Sequence, residues 1–292
     1  MAPDLPSGID LIPNGVFGHE SYGSAYLLEG DELTLVDPGT SLTVPRLLEW
    51  FRKSSYSLTE LNSILLTHIH LDHAGATGHL VDELSGLKVY VHARGAPHLV
   101  DPSKLLESVE EATGSRFSEY GTLKPVPEES IVPLDGKEDL KVGSRELIVL
   151  PTPGHAPHHL VYKDKSTGAV FTGDSAGLYL EGKLIPATPP PRFDLEKSLA
   201  SLDEISQLDP SVLLYSHFGP GAEPDRLIED YKIALREWVD LISDLFTRHE
   251  REENLIDEVL KRKRGWLGDG FTEEELVMNI KGVERYLSWK GN

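Results

Sequence analysis

Short apolar runs separated by polar and turn-forming residues dominate the first two-thirds of the chain. Seven of them, at 25–28, 33–36, 63–66, 88–91, 146–150, 169–172 and 212–215, are rich in Val, Ile, Leu and aromatics and bounded by Gly, Pro or Asp. They read as strands. Apolar residues recur at three- and four-residue spacing over 43–53, 74–84 and 195–207, which predicts helices. Between them, "PATPPPRFD" at 186–194 can be neither helix nor central strand and must be an extended loop. Strands alternating with helices predict an α/β core.

The texture changes after Pro224. Leu227, Tyr231, Ala234, Trp238, Ile242 and Leu245 fall on one face of a long predicted helix. A second helix is expected to end at "KRKRG", where cations suit the carboxyl end of the helix dipole and Gly265 can stop it. A third begins at "FTEEELVMNIKGVERYL", with Thr272 and Glu275 spaced as a capping box. Residues 223–292 carry 17 acids against 12 bases, so "KRKRG" reads as a helix end rather than a nucleic-acid patch. The chain therefore divides into a core over 1–222 and a helical carboxyl-terminal extension over 223–292.

Five apolar runs end alike: "LTLVD" at Asp37, "SILLTH" at His68, "LIVLPTPGH" at His155, "AVFTGD" at Asp174 and "VLLYSH" at His217. Strands of one layered core can bring such ends to a common edge, where loops carry chemistry on a rigid scaffold. The stretch 65–79, "LLTHIHLDHAGATGH", adds His70, Asp72 and His73. Imidazoles and carboxylates are the donors that zinc and similar divalent metals accept. Seven donors, His68, His70, Asp72, His73, His155, Asp174 and His217, are too many for one tetrahedral ion and fit a pair sharing a carboxylate. His19, His79, His92, His98 and His249 read as ordinary surface or core histidines.

Composition narrows the function. The 292 residues carry a formal net charge of −20, which repels nucleic-acid backbones and anionic membranes. There is no cysteine, so disulfides and thiolate ligands are excluded. No apolar stretch approaches a membrane span, and "MAPDLPSGIDLIPNG" lacks the pattern of a signal peptide, so a cytoplasmic location is expected.

"THIHLDHAG", "TPGH", "GDS" and "SHFG", in that order, resemble the motifs of the metallo-β-lactamase superfamily over roughly residues 8–222. The resemblance implies a four-layered αβ/βα sandwich with a dinuclear site along one edge. It implies that His68, His70 and His155 hold one metal, that Asp72, His73 and His217 hold the other, and that Asp174 bridges them. Asp37 in "VDPGT" is similar to an aspartate that orients the ligand histidines. The chain lacks the cysteine ligand of true β-lactamases and so resembles the glyoxalase II, lactonase and phosphotriesterase branches. Flavodiiron proteins have Glu where His70 stands. Quorum-sensing lactonases have a tyrosine where Gly177 stands. The Pro-rich loop is similar to one that lines the pocket in small-molecule hydrolases of the superfamily.

The expected activity is hydrolysis of a carboxylic ester, lactone, thioester or phosphoester, with broad specificity. Two divalent ions, zinc foremost with iron, manganese or cobalt as alternatives, would activate a bridging hydroxide. Asp72 would also accept a proton on its way to the leaving group. The rival readings are a mononuclear iron persulfide dioxygenase, a nuclease and a non-catalytic binding member of the fold. The substrate is expected to be a small molecule, with no nucleic-acid or membrane partner. The carboxyl-terminal helices are expected to shape the substrate entrance and to form a homodimer.

Overall fold

Two six-stranded sheets, each drawn from one continuous stretch of chain, form the centre of the computed structural model, which describes residues 4–248, 252–268 and 270–290. The first sheet takes β1 (Ile9–Pro13), β2 (Ser24–Leu28), β3 (Leu33–Val36), β4 (Leu61–Leu65), β5 (Lys88–His92) and β6 (Ile131–Leu134) in chain order. Its first three strands are antiparallel and the rest run parallel. The parallel crossovers carry α1 (Val44–Lys53), α2 (Leu71–Ala74), α3 (Thr77–Glu83), α4 (Ala96–Val100) and α5 (Ser103–Thr113).

The second sheet uses β7 (Asp139–Val142), β8 (Arg145–Pro151), β9 (Leu160–Asp164) and β10 (Ala169–Gly173). A separate hairpin of β11 (Leu178–Leu180) and β12 (Lys183–Ile185) intervenes before β13 (Val212–Tyr215) and β14 (Gly219–Gly221) complete that sheet. The spatial order is β14-β13-β10-β9-β8-β7, with β10 and β13 parallel. Helix α6 (Leu195–Gln207) connects β12 to β13. Beyond β14 lie α7 (Pro224–Arg248), α8 (Glu252–Lys263) and α9 (Glu273–Lys290).

The alternation of side chains along the central strands explains the layering. On β2, Tyr26 and Leu28 pack with Phe171 and Leu214 of the other sheet, whereas Ala25 and Leu27 face Leu47 of α1 and Leu80 of α3. On β13, Val212 and Leu214 turn to the intersheet core while Leu213 and Tyr215 pack with Leu202 of α6 and Trp238 of α7. Three apolar interfaces therefore separate four layers, helix, sheet, sheet and helix. Among the described residues no helix is long and apolar enough to cross a membrane.

All seven expected strands form, with ends within about two residues of the sequence reading. The strands that escaped it are β1, β9, β11 and β12, together with three of weak signal: β6 contains Pro133, β7 reads "DLKV" and β14 reads "GPG". The apolar stripe of α7 is buried inside the chain against α6, α8, α9 and β12. Its third member is Leu235, fully buried, rather than the half-buried Ala234. Half of the expected capping box is present. Thr272 Oγ1 accepts from Glu275 N at 3.3 Å, but the Glu275 side chain turns instead to Arg116 and Tyr120.

Candidate metal centre

All seven expected donors meet at one edge of the sandwich. His68 and His70 follow β4, Asp72 and His73 lie on α2, His155 follows β8, Asp174 follows β10 and His217 follows β13. Side-chain donors of His68, His70 and His155 lie within 4.8 Å of one another, as do those of Asp72, His73 and His217. Asp174 stands between the two groups. Its Oδ2 is 3.4 Å from His155 Nε2 and 4.0 Å from His68 Nε2. Its Oδ1 is 3.4 Å from His73 Nε2 and 3.7 Å from His217 Nε2. Asp72 Oδ2 lies 3.3 Å from His217 Nε2 and 3.6 Å from His73 Nε2.

The hydrogen bonds behind the rings assign their tautomers. His155 Nδ1 donates to the Ala187 carbonyl and His217 Nδ1 to the Tyr22 carbonyl, each at 3.0 Å. His73 Nδ1 donates to Asp37 Oδ2 at 2.9 Å. Thr67 Oγ1 donates to the same Asp37 oxygen at 2.7 Å, so it can accept from His68 Nδ1 at 3.1 Å. Four Nε2 lone pairs are thereby aimed inward. Near them, His70 Nδ1 sits 2.9 Å from His68 Nε2 and 3.0 Å from His155 Nε2. Three ring nitrogens so close together cannot satisfy one another with a single proton among them; a shared cation can. The donor set fits divalent metal.

Charge leads to the same place. Burial, aided by neighbouring imidazoles, holds His68 and His70 well below the ordinary histidine range, so they stay neutral. Burial also opposes the cation at His73, but Asp174, Asp72 and Asp37 outweigh it and pull its pKa well up. His217 is raised against burial chiefly by Asp174. Burial pushes the Asp72 carboxyl up, yet His73 and His217 bring it well below the usual range, and His73 does the same for Asp174. Asp174 Oδ1 is buried and, among the described residues, receives no hydrogen bond. The carboxylates demand positive charge at a spot lined by nitrogen lone pairs.

Asp37 is the expected orienting residue, and its reach is wide. Besides His73 and Thr67 Oγ1, it accepts from Thr67 N at 2.9 Å and from Ser216 Oγ at 2.9 Å. It thus ties the loop after β4 to the end of β13 in the other sheet. Its φ of +47° is unusual for a residue with a side chain, and such strain persists only where surrounding bonds impose it.

The sequence reading missed His159. This fully buried ring stacks on His68 with centroids 4.8 Å apart. Its Nε2 accepts from Asp174 N at 3.1 Å, while Nδ1 bonds Thr152 Oγ1 at 2.9 Å and Ser175 Oγ at 3.0 Å. A Cβ at Gly173 would lie 2.6 Å from both His159 Nε2 and Thr67 Oγ1, and φ there is +49°, so only glycine fits. The HH pair three and four residues after His155 in "TPGHAPHH" marks it as a candidate without specifying that role. Its neighbour His158 lines the cavity above the donors, and burial lowers its pKa to about 3. His98, read as ordinary, also lines that cavity. His79 pairs with Thr122 Oγ1, His92 Nδ1 accepts from Arg94 N, and His249 lies outside the described residues.

The cavity above the donors has a volume of about 350 Å³. Its walls come from α5 (Leu105, Val109), the Pro-rich loop (Pro189, Pro190, Pro191) and α9 (Glu275, Met278, Asn279). Helices α7 and α9 also fix the loop that holds His155. Tyr231 Oη accepts from Ala187 N at 3.2 Å, Trp238 Nε1 donates to Thr188 Oγ1 at 3.0 Å and Thr188 Oγ1 donates to Asn279 O at 2.9 Å.

Comparison with known proteins agrees with this geometry. A family model described as the metallo-beta-lactamase superfamily matches residues 20–217. The metallo-beta-lactamase fold-containing protein ST1585 of Sulfurisphaera tokodaii is 32% identical over 219 residues, covering 73% of this chain and 78% of that protein. The probable metallo-hydrolase YqjP of Bacillus subtilis is 29% identical over 237 residues, 70% of this chain and 69% of its own. Among solved structures, ST1585 superposes with a TM-score of 0.69 at 25% identity over 96% of this chain and 99% of that one. The family protein TTHA1429 of Thermus thermophilus shares the fold with a TM-score of 0.73 at 24% identity, covering 99% of this chain and 95% of its own.

Proposed function

The chain belongs to the metallo-β-lactamase superfamily and is a metal-dependent hydrolase, and from that premise we propose that it cleaves ester-like bonds with a pair of divalent ions. In this proposal His68, His70 and His155 hold one ion, Asp72, His73 and His217 hold the other, and Asp174 bridges them. One observation carries the reading: the two Asp174 oxygens face different histidine sets, Oδ2 toward His155 and Oδ1 toward His73, each at 3.4 Å. A mononuclear iron oxygenase would need only the first set. Zinc is the proposed metal, because nitrogen and carboxylate donors suit it. When bound, such ions make water acidic enough to supply a nucleophile near neutral pH and polarise the bond under attack.

The remaining work falls to the chain's own side chains. Asp37, Thr67 and the Ala187 and Tyr22 carbonyls keep the imidazoles in the tautomer that presents Nε2. Asp72, ionised and bordering the cavity, is placed to accept a proton and pass it to the leaving group. Leu105, Val109, Met278 and the three prolines exclude water around the substrate. Where lactonases of the superfamily have a tyrosine, Gly177 has no room for a side chain. A Cβ there would lie 2.2 Å from the Tyr231 ring, which favours open-chain esters over a dedicated lactonase role.

The extension at 223–292 is proposed to be part of the working enzyme, since α9 walls the cavity. A homodimer would use its outer face, where Ile233, Phe246 and Trp289 are exposed. Light scattering reads that directly. For the activity, the metal-loaded protein is assayed against carboxylic ester, thioester, lactone and phosphotriester panels alongside elemental analysis. Two metals per chain with ester cleavage is the expected result; one iron per chain with no hydrolysis would overturn it.

A further inference from the structure

The cavity contains one buried charge that the hydrolytic reading leaves unused. Glu275, in the first turn of α9, is 4% exposed yet lines the same cavity as Asp72, Tyr22 and His217. Its spacing from Thr272 favours folding the carboxylate back onto the helix start, a local preference that the structure overrides. Departures from a local rule collect where function demands them.

The bonds that hold Glu275 leave half of the carboxylate uncommitted. Arg116 Nη1 at 2.7 Å and Tyr120 Oη at 3.2 Å both donate to Oε1. The other face of the guanidinium is turned away, with Nε and Nη2 each 2.9 Å from Glu119 Oε2 and the group 5.0 Å over the Phe17 ring. A strut joining α9 to the turn at 114–120 would be best made with both oxygens on the guanidinium. Among the described residues, Oε2 receives no hydrogen bond. Burial raises the Glu275 carboxyl, Arg116 opposes that, and Asp72 adds to it. An oriented acceptor in a mainly apolar wall is how a small-molecule cavity fixes its ligand.

We propose that Glu275 is a specificity residue whose uncommitted oxygen accepts a hydrogen bond from a hydroxyl or amide N–H on the non-reacting part of the substrate. The preferred substrates are then largely apolar, uncharged esters carrying one such donor. The proposal rests on the hydrolase reading for the bond cleaved, but not for the recognition itself.

The test compares matched probes in wild type and Glu275→Gln. Glutamine keeps the size and an oxygen for Arg116 and Tyr120, but sets an NH2 donor where the free acceptor was. The probes are aryl esters of ω-hydroxyalkanoic acids of six to eight carbons and their ω-methyl ethers. Wild type is expected to favour the hydroxyl ester in kcat/KM by about tenfold at the best length, mainly through KM. In Glu275→Gln the ratio falls to about one, with metal content and Tm retained. A merely structural role would lower both probes equally, and that result, or an unchanged ratio, overturns the proposal. Calorimetry with hydroxyl- and methoxy-ended alkylphosphonates gives a readout without turnover. Equal binding of the two by wild type overturns the proposal. A hydroxyl preference that Glu275→Gln removes, in a protein that cleaves no ester, sustains it and overturns only the hydrolase reading.

Discussion

Asp37 Oδ2 lies 2.9 Å from His73 Nδ1, and each of the two side chains is 1% exposed. The same oxygen receives Thr67 Oγ1 and Ser216 Oγ, so one carboxylate organises donors from both sheets. Asp37→Asn would set an amide NH2 against Thr67 N or, in the other orientation, against the three donors at Oδ2. Metal affinity is expected to weaken about 10–100-fold, as when a ligand histidine loses its partner. Competition with a chromogenic chelator measures it; unchanged affinity would remove the orienting role.

Asp174 and Asp72 separate by position. Asp174→Ala should lose both metals, because each of its oxygens faces a different histidine set. Asp72→Ala should keep at least one metal and lose most turnover, since Asp72 approaches only His73 and His217. Elemental analysis with kinetics on one ester distinguishes them. Wild-type metal content in Asp174→Ala would refute the bridge.

His159 does not line the cavity but carries the Asp174 backbone. His159→Ala leaves Asp174 N without its acceptor and opens a void under His68. An unsatisfied buried group costs about 1–3 kcal/mol, and the metal-free protein should lose at least that in urea unfolding. A variant as stable as wild type would show that the ring is only a spacer.

Asn279 is far along the chain from any proposed ligand, yet it bonds Thr188 in the same loop whose Ala187 carbonyl holds His155. Asn279→Ala should destabilise the fold by about 1–3 kcal/mol through the orphaned Thr188 N–H. It should also weaken metal binding through the looser His155. Loss of stability with unaltered metal affinity would confine Asn279 to packing.

Trp238 is fully buried and its indole N–H is satisfied by Thr188. Trp238→Ala should cost about 3–5 kcal/mol, and truncation at Gly221 should leave an insoluble or weakly stable protein. Denaturant midpoints and recovery of soluble protein check both. A soluble truncated chain with unchanged kinetics would mean that the helices do not serve the site.

Four of the seven donors, His68, His155, Asp174 and His217, were legible because each stands at or just beyond the end of an apolar run, and burial forces such runs into adjacent central strands; His70, Asp72 and His73 were legible from their crowding just after His68. Asp37 was legible for the same reason. His159 was not: its role is to accept a backbone N–H from Asp174, and no sequence spacing encodes that. Glu275 was misread because local helix-start chemistry competes with a partner 159 positions away, Arg116, that only the tertiary fold supplies. Helix α5 escaped notice because it buries no side chain fully; Leu105, Leu106 and Val109 are only partly buried at the edge of the core, and Leu105 and Val109 also face the cavity.

The two sheets divide the chain near Gly136, with β1–β6 before it and β7–β14 after it. His68, His70, Asp72 and His73 belong to the first half, and His155, Asp174 and His217 to the second. Each proposed ion therefore takes two ligands from one half and completes its set from the other. Neither half alone holds either proposed set complete, so metal capture registers that the halves have docked in register. Bound ions would act as clasps across a long-range seam, opposing its separation much as a covalent cross-link does. Two fragments separated at that linker would regain metal together only by rebuilding the seam.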